Sequence, residues 1–263
     1  MGGMKVVLFC GGLGLRLAGY AGDTPKLLIK IGHKPILWHV MMYYAYHGHK
    51  DFILCLGHNG DKIKEYFLNY SECLSSNFIL SGGNVKLLGA SIQDWNITFV
   101  DTGLASNIGQ RLKMVEGYLE GEKAFLANYG DGLTDLHLPH LIHHFNERQN
   151  VATFLRVRPT QSFHVVSVDD NEIVTAIQPI QSSVWINGGF FIFRREIFEY
   201  MKEGEELVEQ PFTRLIQLGE LIAYRHDGFW ACLDTAKDKQ RLDNIYLDGH
   251  APWEIWARRD DIK

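Results

Sequence analysis

The stretch Val6-Val7-Leu8-Phe9-Cys10-Gly11-Gly12-Leu13-Gly14-Leu15-Arg16-Leu17 decides how the rest of the chain is read. Its apolar run stops abruptly at paired glycines, the pattern of a strand buried on both faces and followed by a tight loop. Working outward, Pro35 opens and Gly48 closes a long apolar-aromatic segment, Ile36 to Tyr46, that reads as a helix. Phe52 to Leu56 repeats the buried-strand pattern and ends at Gly57, and Asp61 to Tyr70 sets Ile63, Tyr66, Phe67 and Tyr70 at helical spacing. Strand, glycine loop, helix, strand, helix is the alternation of a parallel sheet with crossover helices. Further strands are expected at Ile97–Val100 and Ala124–Tyr129, with helices at Gln110–Leu119 and along Leu138, Leu141, Ile142 and Phe145. Ser71 to Asn96 is polar and glycine-interrupted and reads as loops with a small hairpin.

After Val151 the pattern changes. Short strands are expected at Ala152–Val157, His164–Val168, Ile173–Ile177 and Phe190–Phe193, as a mixed or antiparallel extension of the same sheet. Helices near Glu196–Lys202 and Phe212–Leu218 and a strand at Leu221–Arg225 follow. No linker, repeat or low-complexity tract interrupts the 263 residues, so one α/β domain over 1–263 is expected. Its first half runs to about residue 150 and its second half from 151.

Composition narrows the function. Lys+Arg 26 against Asp+Glu 31 leaves a formal charge of −5, which offers no general basic surface for nucleic acid. A local basic pocket for a phosphate ligand remains compatible with it. Cys10, Cys55, Cys73 and Cys232 are too scattered for a disulfide framework, and no CxxC pair occurs, which points to a reducing cytoplasm. No run of 18 apolar residues occurs and the N-terminus lacks the layout of a signal peptide, so neither a membrane span nor export is expected.

Gly11, Gly12, Leu13 and Gly14 let backbone N–H groups approach a phosphate, and a helix start behind them would add positive dipole. No Gly-Lys-Ser/Thr follows, so this is not a P-loop, and Leu17 breaks the dinucleotide fingerprint. A plain structural βα turn stays open. Arg16 in the loop and Lys26 behind Pro25 add a planar fork and a compact point charge, which together make a triphosphate cradle. Asp131, in Asn128-Tyr129-Gly130-Asp131-Gly132, stands at the end of a buried strand, where open parallel sheets bind ligands. Asp234 follows the apolar-aromatic Gly228–Leu233. Two carboxylates facing a triphosphate would hold a hard cation such as Mg²⁺; solvated loop acids or helix caps are the alternative.

GGLGLRL, TPKLL and IGHKPILWHV resemble the opening of the sugar-phosphate nucleotidyltransferases, most closely the glucose-1-phosphate cytidylyltransferase branch. The resemblance continues through DFILCLGHNGDKIKEYFLNY, WNITFVDTGLASNIGQRL, LANYGDGLTD, INGGFFIF, GFWACLDTAKDK and APWEIW, in order and over essentially the whole chain. It implies a single-domain, Rossmann-like nucleotide-diphospho-sugar transferase fold with a mostly parallel central sheet and a mixed extension. It implies Mg²⁺ on Asp131 and Asp234, catalysis by Arg16, Lys26 and Asp131, and a nucleotide held by Gly11, Gly12, Leu13, Gly14, Arg16, Lys26, Ser106, Arg111 and Gly130. The alternative for the last stretch is helix capping by Ser106 or Asn107 with Arg111 on a solvated face. CTP is the implied donor, glucose 1-phosphate the default acceptor, pyrophosphate the second product, and a homo-oligomer the implied assembly.

The chain departs from the family, most seriously in its acceptor half. Leu15 replaces a loop Thr, and Leu27 the second Pro of Pro-Lys-Pro. Ile177 and Gln178 stand where Glu-Lys is usual, and Gln161-Ser162-Phe163-His164 replaces the Arg-Phe-Gly entry to a strand. His164, Gln178, Trp185, Asn187 and Gly188 are left to shape the acceptor pocket, with Arg156, Arg158 or a protonated His164 as substitute cations. The same chemistry on another phosphorylated small molecule is therefore the second reading. A non-catalytic nucleotide- or sugar-phosphate sensor is the third, disfavoured because Arg16, Lys26, Asp131 and Asp234 are all present. Of the 12 histidines, His140 and His144 have the i,i+4 spacing of a metal pair, but a solvated helix face is the expected role; His33, His39, His47 and His49 are expected at the surface or in packing.

Overall fold

The computed structural model of this chain describes residues 2–12, 24–88 and 92–257. In chain order its main elements are β1 (Lys5–Cys10), α1 (Ile36–Tyr46), β2 (Asp51–Leu56), α2 (Gly60–Leu68), β3 (Asn96–Asp101), α3 (Ile108–Met114), β4 (Ala124–Asn128), α4 (Leu138–Arg148), β5 (Ala152–Val157), β6 (Ile186–Arg194), α5 (Gln210–Leu218), β7 (Leu221–Arg225) and α6 (Ala236–Leu247). The strands build one sheet in the order β7-β5-β6-β4-β1-β2-β3. All neighbours pair in parallel except β6, which runs against both β4 and β5. The segments before and after Val151 thus share a sheet, mostly parallel with one reversed strand.

The continuous apolar runs have a simple cause. In β1, Val6, Leu8 and Cys10 enter the core on one face, while Val7 and Phe9 enter the core on the other. In β2, Phe52, Leu54 and Leu56 face the first core, and Ile53 and Cys55 the second. Helices cover both faces, so both side-chain sets leave water. On the first, α1 is buried along ten of its eleven residues and packs with Ile63 of α2 and Leu138, Leu141 and Phe145 of α4. On the second lie Leu112 of α3 and Phe212 and Leu215 of α5. His39, expected at the surface or in packing, is a core residue 1% exposed against Trp253, and burial pushes its imidazole down to about 4. Among the described residues, no helix is long and apolar enough to cross a membrane.

Three expectations change. The helix at Gln110–Leu119 is α3 followed by a 3-10 turn, Glu116–Leu119; the break at Val115 lets Leu112, Val115 and Leu119 all stay buried. His164–Val168 and Val174–Pro179 do not extend the main sheet but form a separate antiparallel hairpin whose first strand is exposed throughout. Asp169 closes its turn, accepting from the N–H groups of Asn171 and Ile173. Finally, β6 starts at Ile186, so Asn187, Gly188 and Gly189 belong to a strand.

Because β1, β2, β3, β4, β5 and β7 are mutually parallel, their C-terminal ends share one edge, and the reversed β6 contributes its beginning there. In open α/β sheets this edge is where ligands bind.

Candidate active site

At that edge the ammonium of Lys26 lies 2.5 Å from Asp131 Oδ2 and 2.6 Å from Asp234 Oδ1. Three positions remote in sequence meet here for identifiable reasons. Pro25 fixes the approach to a short 3-10 turn, Lys26–Leu28, whose Leu27 is buried in the core and holds the turn against the sheet. Asp131 leaves β4 through a turn set by Asn128, a buried amide that accepts from the Gly130 N–H at 2.7 Å and donates to the Tyr44 hydroxyl at 3.2 Å. Gly130 takes φ +83°, in the left-handed region that favours glycine. Asp234 arrives through a two-stranded ribbon, Gly132–Thr134 against Trp230–Cys232, extended by the Leu233 N–H donating to Asp131 O at 3.0 Å.

The electrostatics are those of a partly enclosed triangle. Burial, aided by Asp234, pushes the Asp131 carboxyl above the usual carboxylate range against the pull of Lys26. Burial alone would lower Lys26, but the Asp131 and Asp234 carboxylates outweigh it and hold the ammonium above the usual lysine range. One cation thus bridges two anions, a net charge of −1 that a second cation would neutralise. Among the described residues no three His, Cys, Asp or Glu side chains gather into a metal cluster. Two carboxylates nevertheless suit Mg²⁺, which takes one or two such ligands and completes its octahedron with water and substrate phosphate.

Beside the triangle a cavity of about 210 Å³ is lined by Cys10, Gly12, Lys26, His58, Tyr129 and Asp131 among others. Of the loop glycines Gly12 lines it, directly after Gly11; Leu13, Gly14 and Arg16 lie outside the described residues. Arg111 does not sit on a solvated face. It is 3% exposed and donates to Leu56 O at 3.0 Å, Thr102 Oγ1 at 2.6 Å and Gly11 O at 3.1 Å. A Cβ on Gly11 would fall 2.1 Å from its guanidinium carbon, so glycine there makes room for the arginine. Asn107, not Ser106, caps α3 in a reciprocal box with Gln110, while the Ser106 hydroxyl donates to Thr102 O.

On the acceptor side Asn187 accepts from the Gly189 N–H at 2.9 Å and donates to the Tyr129 hydroxyl at 3.3 Å, linking β6 to the residue two before Asp131. Gly188 O accepts the Trp230 indole N–H at 2.9 Å. His164 and Gln178 are exposed on the separate hairpin, and among the described residues no hydrogen bond or ion pair ties them to the triangle. Asn128, Tyr129 and His58 are site residues that sequence reading missed. The signal was present for Asn128, a polar residue between a buried apolar run and a glycine.

Comparison with known proteins places the family and the fold. Residues 5–233 match the family model for nucleotidyl transferase. The chain is 39% identical to a Bacillus subtilis (strain 168) protein named probable glucose-1-phosphate cytidylyltransferase, over 96% of this chain and 100% of the relative. It is 38% identical to the glucose-1-phosphate cytidylyltransferase of Salmonella typhi, with the same coverage. The fold superposes on UTP-bound UGPase from Acinetobacter baumannii with a TM-score of 0.69 at 16% identity, covering 99% of each chain.

Proposed function

The chain belongs to the nucleotidyl transferase family, and on that premise we propose that it joins the CMP moiety of CTP to glucose 1-phosphate and releases pyrophosphate. The nucleotidyltransfer class follows from the family, and the choice of CTP and glucose 1-phosphate is supported by what its relatives of 38–39% identity are named for. The observation that carries the reading is the ammonium of Lys26 held between Asp131 and Asp234 at the ligand edge of the sheet.

In this reaction an oxygen of the acceptor phosphate attacks the α-phosphorus in line. The new bond joins that oxygen to the α-phosphorus, the bond to the β-phosphate bridge breaks, and pyrophosphate leaves with the electron pair. An ionised phosphate is already nucleophilic, so no residue need act as base, and the protein's contribution is alignment and charge neutralisation. Asp131 and Asp234 would hold Mg²⁺, which supplies Lewis-acid neutralisation of the phosphate oxygens. Lys26 would then turn its ammonium from the carboxylates toward the α-phosphate. Gly12, behind Gly11, offers backbone at the cavity, and Arg16 is assigned to the departing pyrophosphate. Arg111 supports the loop from behind by fixing Gly11 O. Ser106 closes the turn before α3, and Gly130 frees the Asp131 carboxylate. Asn187, Gly188 and Trp185 border the acceptor side.

A second reading keeps the chemistry and changes the acceptor. It is favoured by Ile177 and Gln178, which bring no charge where the family resemblance leads one to expect Glu-Lys and which lie exposed on the hairpin. Pyrophosphate release measured with each NTP in turn, with and without glucose 1-phosphate, decides. Release that requires CTP and glucose 1-phosphate together is expected. Release with CTP only when another phosphomonoester is supplied would select the second reading, and no release under any combination would overturn both.

A further inference from the structure

Three arginines converge on one indole at the acceptor side. The guanidinium carbon of Arg158 stands 3.9 Å from the Trp185 ring centre, and those of Arg156 and Arg225 each stand 5.1 Å from it. The sheet register brings them there: Arg156 of β5 is paired with Asn187 of β6 on one side and with Arg225 of β7 on the other. Only part of their hydrogen-bonding capacity is engaged. Arg158 donates one N–H to Val184 O at 3.0 Å, and Arg225 holds Asp227 through bonds of 2.7 and 3.0 Å. Arg156 Nε is buried with no partner among the described residues. Among the described residues Asp227 is the carboxylate these three guanidiniums hold, which leaves a local excess of positive charge in a chain whose formal charge is −5. Like charges packed within van der Waals reach of one ring repel each other and invite an anion.

The cluster is also in the right place. Trp185 immediately precedes β6, the neighbour of β4, and β4 runs on into Asp131. The register pairs Phe190 of β6 with Asn128 of β4, and the Asn187–Tyr129 bond carries the contact on toward the turn that holds Asp131, so Trp185, two residues before Asn187, enters on the acceptor side of that turn. A cleft of about 510 Å³, in the size range of small-molecule sites, opens beside Arg158 and is bordered by Gln181, Trp230 and Arg241.

Resting on the assignment of a sugar 1-phosphate acceptor, we propose that Arg156, Arg158 and Arg225, gathered on Trp185, form the subsite that takes the acceptor's phosphate, supplying the positive charge that Gln178 does not. Planar guanidinium forks bind phosphate oxygens in pairs and hold them in a fixed orientation, which a lone lysine does not do. The stack on Trp185 keeps the forks ordered before substrate arrives, so less freedom is lost on binding.

The test is steady-state kinetics with CTP and glucose 1-phosphate on the intact protein and on Arg158→Gln, Arg225→Gln and Arg158→Lys, with thermal melts on the same samples. The expected result is a KM for glucose 1-phosphate raised about tenfold or more in Arg158→Gln, the scale of losing a bond to a charged group. The KM for CTP should move far less, Arg225→Gln should act in the same direction, and Arg158→Lys should recover part of the loss. An unchanged acceptor KM accompanied by a lowered melting temperature would overturn the proposal and leave the cluster a structural clasp. A preference for glucuronic acid 1-phosphate over glucose 1-phosphate that the variants erase, with glucose 1-phosphate kinetics intact, would also overturn it, because the arginines would then serve a distal acid. Calorimetric titration of glucose 1-phosphate and of inorganic phosphate without CTP separates this proposal from the reading it rests on. Phosphate-dependent binding that Arg158→Gln abolishes supports the subsite even where turnover is absent, and absent turnover alone speaks against the CTP reaction.

Discussion

Replacing Lys26 by Met should leave a protein that is less stable without metal, gains more from Mg²⁺ than the wild type, and does not turn over. Met retains most of the aliphatic stem and removes the charge. Since the ammonium is 2.5 Å from one carboxylate oxygen and 2.6 Å from the other, those oxygens can be no farther apart than the two distances placed end to end. Two like charges about 5 Å apart at an effective dielectric constant of about 20 repel by roughly 3 kcal/mol. Asp234, whose side chain is 35% exposed, is screened by water, which lowers the expected loss to about 2–3 kcal/mol. At roughly 2–4 °C per kcal/mol for a chain of this size, the metal-free variant should melt roughly 4–12 °C below the wild type at neutral pH.

Mg²⁺ reverses the comparison. In the wild type a divalent cation must displace the ammonium from both carboxylates; in Lys26→Met it meets two unneutralised ones and binds more tightly. A ligand that binds only the folded state stabilises in proportion to the logarithm of its concentration over its Kd, so millimolar Mg²⁺ should raise the variant's melting temperature more than the wild type's. The pH dependence has a definite sign as well. The folded Lys26 is held above the ordinary lysine range, so its contribution is complete at neutral pH and is lost as pH climbs through that range to the raised value. The variant should lack this alkaline loss. Equal metal-free melting temperatures, with equal Mg²⁺ shifts in the two proteins, would refute the picture of one ammonium pinning two carboxylates.

Asp131→Asn and Asp234→Asn should each lower turnover about 100-fold or more, the scale of removing a key charge stabiliser, as read by pyrophosphate release. The raised Asp131 carboxyl gives stability below the ordinary carboxylate range that is lost as pH rises through its folded value, so metal-free Asp131→Asn should melt no lower than the wild type at neutral pH. Arg111→Lys should cost about 2–4 kcal/mol in urea unfolding, because the acceptors on Leu56, Thr102 and Gly11 are reached from two separate guanidinium nitrogens, a spread that a single ammonium nitrogen does not reproduce, and an abandoned buried acceptor costs about 1–3 kcal/mol. Gly189→Ala should destabilise the protein and raise the acceptor KM, since φ is +75° and the new Cβ would fall 2.5 Å from the Tyr129 ring.

Much of the fold was legible because burial on both faces leaves unbroken apolar runs, as in Val6–Cys10 and Phe52–Leu56, and α1 is bounded by Pro35 and Gly48 as its sequence suggests. The hairpin from His164 to Pro179 was misplaced because alternating β-branched residues look the same whether a strand joins the main sheet or projects from it; its exposure is a property of what lies beside it. α6 was missed because it is mostly polar, and its start is set by a capping box of Thr235 and Asp238 rather than by an apolar stripe. In the site, Asp131 and Asp234 could be named from the sequence, but not the ribbon that joins them, since its strands of three residues carry no periodicity. Arg111 was expected on the nucleotide or, as the alternative, on a solvated face; its burial was not legible, because the space for it to turn inward is left by the glycines at 11 and 57.

The reversed strand explains why both halves of a two-substrate site end at one edge. Were β6 parallel to its neighbours, its beginning would lie at the opposite edge, with Asn187 and Gly188 remote from Asp131. Running backwards, it enters where β4 leaves, so Asn187 reaches Tyr129, two residues before Asp131. The same reversal separates the charges usefully. Lys26 and the two carboxylates serve the side of β1 and β4, and the arginines of β5 and β7 approach from the other side of β6. On the proposed assignments, two polyanionic substrates would be brought together by cations that do not compete for the same phosphate, in a protein of formal charge −5.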